Sequence, residues 1–277
     1  MWLVLQAPDL DDAAVAAATA LAAATEPERL GASAARMRAD PAAAAGIEAF
    51  CAEHRLDCAW VPEDRRLADV GLVAMDMDST LITIECIDEI ADMQGIKPQV
   101  AAITAAAMRG EIDFAESLRR RVALLAGLPV TALERVYDER LRVSPGAEAM
   151  LAAFRKIGAK SLLVSGGFTF FTDRLRQRLG LDHTLSNVLE VHDGRLTGRI
   201  EGAIVDAAAK ADALSRLKAM LPGRTTVGIG DGANDLPMLA AADVSVAYRA
   251  KPIVRERSTH QVNYCGLDAV VNLFVPG

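Results

Sequence analysis

Four aspartates and one serine follow three short apolar runs of this sequence, and their spacing suggests chemistry. The runs and the residues that end them are VGLVAM with Asp76 and Asp78, AKSLLVS with Ser165, and RTTVGIG with Asp231 and Asp235. Short apolar runs that stop at polar residues are typical of buried parallel strands. Because ligands bind beyond the carboxyl ends of such strands, we expect these side chains to meet at one sheet edge.

The chemistry indicated is that of a phosphate held beside a metal ion. Four converging carboxylates repel one another unless a cation neutralises them. Hard oxygen ligands without nearby His or Cys favour Mg²⁺, which accepts one or two carboxylates and a substrate phosphate. The turns Gly166-Gly167 and Gly230–Gly232 expose backbone N–H groups that suit a phosphate. The chain has neither a nucleotide P-loop nor GxGxxG after the first run, which disfavours nucleotide and dinucleotide folds.

The same residues could carry a covalent phosphoryl transfer. A carboxylate at a strand end can attack phosphorus and form an aspartyl-phosphate. A second carboxylate two residues later can protonate the leaving alkoxide and then deprotonate water. A lysine would neutralise the charge on the phosphoryl oxygens, and Lys210 begins a helical segment just before RTTVGIG.

Helices must connect these strands, and the chain supplies them. Helical patterns around 170–179 and 208–220 separate the apolar runs, so strands and helices alternate and predict a doubly wound parallel α/β sheet. Residues 85–142 carry only helical patterns, which predict a helical cap inserted after the first core strand. Asp193-Gly194 between alternating segments predicts a β-hairpin.

The motifs D-x-D-S-T, S-G-G, a lone lysine and G-D-G-x-N-D occur in that order over about residues 70–255. This arrangement resembles the haloacid dehalogenase superfamily of phosphotransferases. MDMDSTLITIECIDEIA, FAESLRRRVALL, VSGGFTFF, HDGRLTG and VGIGDGANDLPML are similar to those members that hydrolyse O-phosphoserine to serine and phosphate, the last step of serine biosynthesis. The resemblance implies a Rossmann-like core and a Mg²⁺-dependent reaction through an aspartyl-phosphate.

The resemblance also assigns roles to core residues. Asp76 is expected to be the nucleophile and Asp78 the general acid/base. The residues expected to hold the phosphoryl group are Ser165, Gly166, Lys210 and Asn234. The residues expected at Mg²⁺ are Asp76, Asp78 and Asp231, with Asp235 acting through water or by orienting the site.

Four cap residues are expected to recognise the substrate. By resemblance, Glu85 pairs with its ammonium group and Arg121 with its carboxylate, while Met108 and Phe114 close over it. Arginine suits a carboxylate because its guanidinium binds both oxygens. The choice within Arg119–Arg121 depends on the register of one helix, since consecutive side chains point in different directions.

The first 67 residues predict a separate small α/β unit. WLVLQ and LDCAWVP are of strand type, and the alanine-rich AAVAAATALAAATEPERL between them predicts helix because alanine has the highest helix propensity. The predicted domains are 1–67 and 68–277, the latter divided into a core at 68–84 and 143–277 and a cap at 85–142. Three roles stay open for the first unit: binding a regulatory amino acid, forming a homodimer, or supporting the fold.

Composition excludes several classes of partner. The chain has 277 residues, a net charge of −7 and a pI of about 5.2, so we expect neither nucleic acid nor an anionic membrane as a partner. Its four cysteines form no C-x-x-C pair, its N-terminus lacks the basic region of a signal peptide, and no window is apolar enough to span a membrane. We therefore predict a cytoplasmic protein with a small-molecule substrate.

Two alternatives remain at this level. The first is a relative that hydrolyses another small phosphomonoester or transfers its phosphoryl group to a second alcohol, because the cap sets the substrate. The second is a non-catalytic amino-acid-sensing protein. The intact set of Asp76, Asp78, Lys210 and Asp231 counts against the second alternative.

Overall fold

Two β-sheets organise the chain, which the computed structural model describes from residue 1 to residue 276. Gly277, the last residue of the predicted range 68–277, lies outside the described residues. The strands are β1 (Trp2–Gln6), β2 (Glu28–Arg29), β3 (Ala34–Arg38), β4 (Asp57–Val61), β5 (Val70–Met75), β6 (Lys160–Phe168), β7 (His183–His192), β8 (Arg195–Glu201), β9 (Thr225–Gly230), β10 (Val244–Tyr248) and β11 (His260–Val262). The α-helices are α1 (Asp12–Leu21), α2 (Ala44–His54), α3 (Cys86–Met93), α4 (Lys97–Met108), α5 (Phe114–Ala123), α6 (Thr131–Arg135), α7 (Ala147–Lys156), α8 (Thr169–Leu179), α9 (Ala207–Ala219), α10 (Leu236–Ala241) and α11 (Pro252–Arg257).

The larger sheet has seven strands in the order β11-β10-β9-β5-β6-β7-β8. Its described strands pair in parallel, apart from the antiparallel pair β7 and β8. The central strand β5 is buried at every position, as expected when helices cover both faces. Val73 and Met75 enter one hydrophobic cluster with α7, whereas Leu72 and Ala74 enter another with α9 and α10. The predicted doubly wound parallel α/β sheet is confirmed.

The helical insertion after the first core strand is present as predicted. It contains α3 to α6, and its two ends lie side by side, since the Thr83 N–H donates to the Arg142 carbonyl at 3.0 Å. Its far side rests on the β7–β8 hairpin, where the Leu196 N–H donates to the Leu128 carbonyl at 2.8 Å. The hairpin turns at Asp193-Gly194, as predicted, with positive φ angles of 49° and 72° that suit a type I′ turn.

The N-terminal sheet differs from the expected strand–helices–strand unit. Its four antiparallel strands have the order β2-β3-β1-β4, and the β-α-β-β-α-β succession is ferredoxin-like. The helix predicted through Leu30 ends at Leu21, and the strands Glu28–Arg29 and Ala34–Arg38 were not predicted. The prediction was wrong here because helix propensity is local, whereas β3 is stabilised by pairing with β1, which lies far away in sequence.

The N-terminal unit packs directly on the core. Leu3 and Leu5 face α1 and α2, while Val4 points the other way into the main core cluster. Asp57 is buried, and its carboxylate accepts hydrogen bonds from the backbone N–H groups of residues 263 to 265 at 2.6, 3.0 and 2.9 Å. The N-terminal unit is thus anchored to the core by hydrogen bonds as well as by apolar contacts, and the domain limits stay a prediction.

All four cysteines are free thiols. Among the described residues, no helix has both the length and the apolar character needed to cross a membrane.

We predict that stability depends on pH because of His260, a buried histidine that contacts Arg65 in the segment between the N-terminal unit and the core. His260 contacts Arg65, and burial, together with the Arg65 charge, lowers the pKa of His260 to about 4. Between about pH 6.5 and pH 4 the unfolded chain therefore binds a proton that the native chain does not, so the free energy of unfolding falls as the pH falls. We expect His260→Gln to reduce the loss of stability between pH 7.5 and pH 5 by about 2 kcal/mol in urea unfolding. The control is the exposed His183→Gln, and equal pH slopes for both variants and wild type would contradict the assignment.

Candidate active site

The nucleophile candidate Asp76 follows β5 directly, at the centre of the large sheet. It is 6% exposed, and its Oδ1 atom accepts a hydrogen bond from the Met77 N–H at 2.7 Å. The next residues form a tight π-type turn, Met77–Leu81, in which Ser79 has a φ of +55°. In this turn the Asp78 Oδ1 atom accepts from the Cys86 N–H at 3.2 Å. The turn therefore brings the Asp76 and Asp78 side chains to the same cleft.

The neighbouring strand β9 supplies the second acidic pair. Asp235 is fully buried, and its Oδ2 atom accepts from the N–H groups of Asp231 and Gly232 at 3.1 and 3.0 Å. The Asp231 Oδ1 atom accepts from the Thr80 hydroxyl at 3.1 Å. Because β5 and β9 are adjacent and parallel, their carboxyl ends meet as the sequence predicted.

Lys210 lies between the two acidic pairs. Asp206 caps the N-terminus of α9, and Lys210 follows in the first turns of that helix. The Lys210 side chain is 1% exposed, and its Nζ atom lies 2.8 Å from Asp76 Oδ1 and 2.8 Å from Asp235 Oδ1. Burial alone would lower the pKa of Lys210, but the two carboxylates outweigh burial and raise that pKa. The lysine is therefore a permanent buried cation.

One lysine does not neutralise the carboxylates around it. Burial, assisted by the charge of Asp235, raises the pKa of Asp76 well above its usual value, although Lys210 opposes this. Burial and the charge of Glu85 raise the pKa of Asp78 to about 7. Burial and the charge of Asp235 raise the pKa of Asp231 to about 6. The charged forms of these carboxyl groups are thus disfavoured, and a further cation at the site would favour them.

The donor set fits a divalent cation. Asp76, Asp231 and Asp235 each offer a carboxylate oxygen, and these oxygens lie within 4.8 Å of one another. All the offered atoms are hard oxygens, which suit Mg²⁺, Ca²⁺ or Mn²⁺. Both Asp235 oxygens already accept hydrogen bonds, Oδ1 from Lys210 and Oδ2 from two backbone N–H groups, whereas the bonds to Asp76 all go to Oδ1. Asp76 and Asp231 are therefore the better direct ligands, and Asp235 the better orienting group.

Ser165 and the two glycines after it form the third side of the site. Ser165 is buried, and its Oγ atom accepts from the Gly167 N–H at 2.8 Å. A Cβ atom on Gly167 would lie 2.7 Å from Met77 Cε and 3.1 Å from Asp78 Oδ2. A side chain at residue 167 would therefore require the Met77 side chain and the Asp78 carboxylate to shift.

The cap closes the opposite side of a cleft of about 350 Å³. The lining residues include the predicted Asp76, Asp78, Glu85, Met108, Phe114, Arg121, Ser165, Gly166, Asp231 and Asn234. Buried Lys210 and Asp235 lie directly behind this lining. The structure therefore brings every residue of the predicted site together.

Register on α5 separates the three consecutive arginines. Arg121 lines the cleft. Burial lowers the pKa of Arg121, and the charges of acidic neighbours, of which Asp88 has the largest effect, partly oppose this. Arg120 instead pairs with Glu116 on the surface at 2.6 Å, and Arg119 is exposed. Within this helix, only Arg121 is placed to meet a substrate carboxylate.

Met108 and Glu85 occupy two different parts of the cleft. Met108 ends α4 at the mouth and is 77% exposed. Glu85 lies next to the D-x-D turn, where its Oε1 atom accepts from the Ser79 hydroxyl at 2.7 Å. Glu85 thus lies beside the D-x-D turn and remains solvent-exposed, and the apolar Met108 side chain lies at the entrance.

Thr80 and Lys251 are two polar residues at the site that were not predicted. Thr80 holds Asp231, although its position inside D-x-D-S-T could have indicated a role. Lys251 lines the cleft, and its N–H donates to the Asp231 carbonyl at 3.0 Å. Lys251 follows β10 closely, so applying the strand-end rule to this strand as well would have found it.

This chain is similar to known phosphatases and hydrolases in both sequence and structure. The haloacid dehalogenase-like hydrolase family model matches residues 73–240. A phosphoserine phosphatase of Polaromonas sp. is 54% identical over 217 residues, covering 76% of this chain and 92% of that protein. A HAD-family hydrolase from Salmonella enterica serovar Typhi superposes with a TM-score of 0.89 at 32% identity, covering 99% of this chain and 97% of that one. A substrate-bound phosphoserine phosphatase superposes with a TM-score of 0.68 at 36% identity, covering 74% of this chain and 99% of that one.

Proposed function

Since the chain belongs to the haloacid dehalogenase-like hydrolases, we propose that it hydrolyses O-phosphoserine to serine and phosphate with Mg²⁺, the last step of serine biosynthesis. One observation carries the proposal. Asp76 lies beside a buried lysine, in a cleft whose cap side carries one carboxylate and one guanidinium, Glu85 and Arg121. This pair is complementary to the ammonium and carboxylate groups of an amino acid.

Asp76 is the nucleophile through one particular oxygen. Its Oδ1 atom is held by Lys210 and by the Met77 N–H, which leaves Oδ2 to attack phosphorus. The Oδ2–P bond forms while the bond between phosphorus and the serine oxygen breaks, giving an aspartyl-phosphate and an alkoxide. When bound by Asp76, the Asp78 backbone carbonyl and Asp231, with Asp235 orienting the site, Mg²⁺ supplies positive charge for the carboxylates and the phosphoryl oxygens.

Asp78 moves the proton in both half-reactions. Burial and Glu85 raise its pKa to about 7, so a large fraction is protonated at neutral pH and can donate to the leaving serine oxygen. The resulting carboxylate then takes a proton from water as that water attacks phosphorus. Phosphate leaves, and Asp76 returns as a carboxylate.

The remaining residues position the two ends of the substrate. Ser165, the Gly166 N–H, Lys210 and Asn234 hold the phosphoryl oxygens, where fixed donors stabilise developing charge. Glu85 binds the ammonium group and Arg121 the carboxylate, while Met108 and Phe114 cover the substrate and exclude water. A homodimer and a cytoplasmic location stay predictions.

The test measures phosphate release from a panel of phosphomonoesters, with and without EDTA and with and without acceptor alcohols. We expect the highest kcat/KM for O-phosphoserine, loss of activity in EDTA, and recovery on adding Mg²⁺. Preference for another ester, or transfer to an alcohol, would favour the other phosphatase or phosphotransferase. Absence of release from every ester with Mg²⁺ present would favour the non-catalytic sensor.

Replacing Arg121 should change the selectivity between phosphomonoesters, measured on the same panel. We expect Arg121→Met to lower kcat/KM for O-phosphoserine roughly 10- to 100-fold, because a charged hydrogen bond contributes about 1.5–3 kcal/mol. O-phosphoethanolamine lacks the carboxylate, so its kcat/KM should change little. Arg120→Met is the control, because Arg120 lies one residue away on α5 but faces solvent. Equal losses for both esters would mean that Arg121 does not read the carboxylate.

A further inference from the structure

Asn187 is a buried amide on β7 that joins two parts of the site without lining the cleft. It is 1% exposed. Its Nδ2 atom donates to the Gly166 carbonyl at 2.8 Å, and its Oδ1 atom accepts from the Val205 N–H at 2.8 Å. Both ends of the side chain are therefore committed to backbone groups of other elements.

The first contact fixes the loop that carries Ser165. Val164 of β6 pairs with Leu185 of β7, and the next pair is Phe168 with Asn187, so β6 uses four residues where β7 uses two. The segment between these pairs bulges out of the ladder, and the Asn187 amide satisfies its Gly166 carbonyl.

That carbonyl belongs to a planar peptide, so its orientation also sets the Gly167 N–H on the other side of the bond. The Gly167 N–H donates to Ser165 Oγ at 2.8 Å. Asn187 therefore acts on the Ser165 hydroxyl through one rigid peptide.

The second contact fixes the start of the helix that carries Lys210. Val205 directly precedes Asp206, whose side chain caps α9 by accepting from the Ala209 N–H at 2.9 Å. The Lys210 N–H donates to the Asp206 carbonyl at 3.1 Å. Lys210 therefore lies one helical turn beyond Asp206, the residue that follows Val205. Movement of Val205 would therefore move the base of the lysine.

We propose that Asn187 is a positioning residue that sets the separation between the Ser165 bulge and Lys210, and thereby the fit of the site to a phosphoryl group. The proposal rests on the proposed function only in that the substrate carries a phosphate. It predicts an effect on phosphate binding in general and none on the recognition of the amino-acid end.

Asn187→Ala tests the proposal in the full chain with Mg²⁺. We expect kcat/KM for O-phosphoserine to fall roughly 100-fold, because a misplacement of about 1 Å costs that much, and the inhibition constant of inorganic phosphate to rise in parallel. The ratio of kcat/KM for O-phosphoserine to that for O-phosphoethanolamine should stay at the wild-type value, because both carry the same phosphate.

Ser186→Ala is the matched control. Ser186 precedes Asn187 on β7, and its buried hydroxyl shares a 2.7 Å hydrogen bond with Thr172, away from the bulge. This variant loses a comparable buried hydrogen bond and should keep wild-type phosphate inhibition. Asn187→Asp provides a second variant if Asn187→Ala does not fold, because it keeps the shape but opposes a carboxylate oxygen to the Gly166 carbonyl. It too should weaken phosphate inhibition.

Three results would overturn the proposal: an unchanged phosphate inhibition constant in a folded Asn187 variant, an equal rise in Ser186→Ala, or a shifted ratio between the two esters. Failure of the proposed function gives a different result, since wild type would then prefer another ester. In that case kcat/KM and the phosphate inhibition constant of the Asn187 and Ser186 variants are measured with the preferred ester instead.

Discussion

Asp76→Asn is expected to lower kcat/KM for O-phosphoserine by at least about 10⁴-fold, the scale seen when a covalent nucleophile is removed. The amide has the same shape as the carboxylate but lacks the charged oxygen that attacks phosphorus. Folding should persist, because burial already disfavours the charged form of Asp76 and Lys210 keeps Asp235 as a partner at 2.8 Å. Phosphate release with Mg²⁺ and thermal unfolding measure the two effects.

A direct readout accompanies the Asp76→Asn kinetics. Wild type mixed with substrate and quenched in acid should carry one added phosphoryl group on the peptide that contains Asp76, and Asp76→Asn should carry none. Substantial turnover by the variant, or the phosphoryl group on another residue, would show that Asp76 is not the nucleophile.

Lys210→Met is expected to damage both stability and activity. Removing the cation leaves Asp76 and Asp235 as buried carboxylates without their common partner, and breaking a buried ion pair costs about 3–5 kcal/mol. Activity should fall at least about 100-fold, because a fixed donor to the phosphoryl oxygens is lost. Urea unfolding gives the change in free energy, and kcat/KM of the folded fraction gives the change in activity.

Lys218→Met provides the control on the same helix. Lys218 pairs with Asp243 at 2.6 Å, but both side chains are partly exposed, and such a pair contributes about 0–1 kcal/mol. The two substitutions remove the same charge from α9. Any difference between the variants in free energy of unfolding or in kcat/KM therefore comes from the burial and position of Lys210. Equal stability and equal activity of the two variants would contradict the role given to Lys210.

Much of the fold could be predicted because its signals are local. The run VGLVAM is continuous because β5 is buried on both faces, and it ends at Asp76 because ligands meet parallel sheets at their carboxyl ends. Asp193-Gly194 predicted its turn because both residues tolerate positive φ. The N-terminal strands β2 and β3 were missed because their stability comes from pairing with distant residues, which alanine-rich composition does not reveal.

The sequence by itself determined which chemical groups this protein possesses and in which order the strands present them. Tertiary structure alone decided which groups touch: that Lys210 lies 2.8 Å from two carboxylates, that Arg121 rather than its neighbours lines the cleft, and that Asn187 holds Gly166 and Val205 together. The physical reason is that these contacts join residues on different elements. Their distances depend on helix register and on sheet packing, which no local pattern of residues specifies.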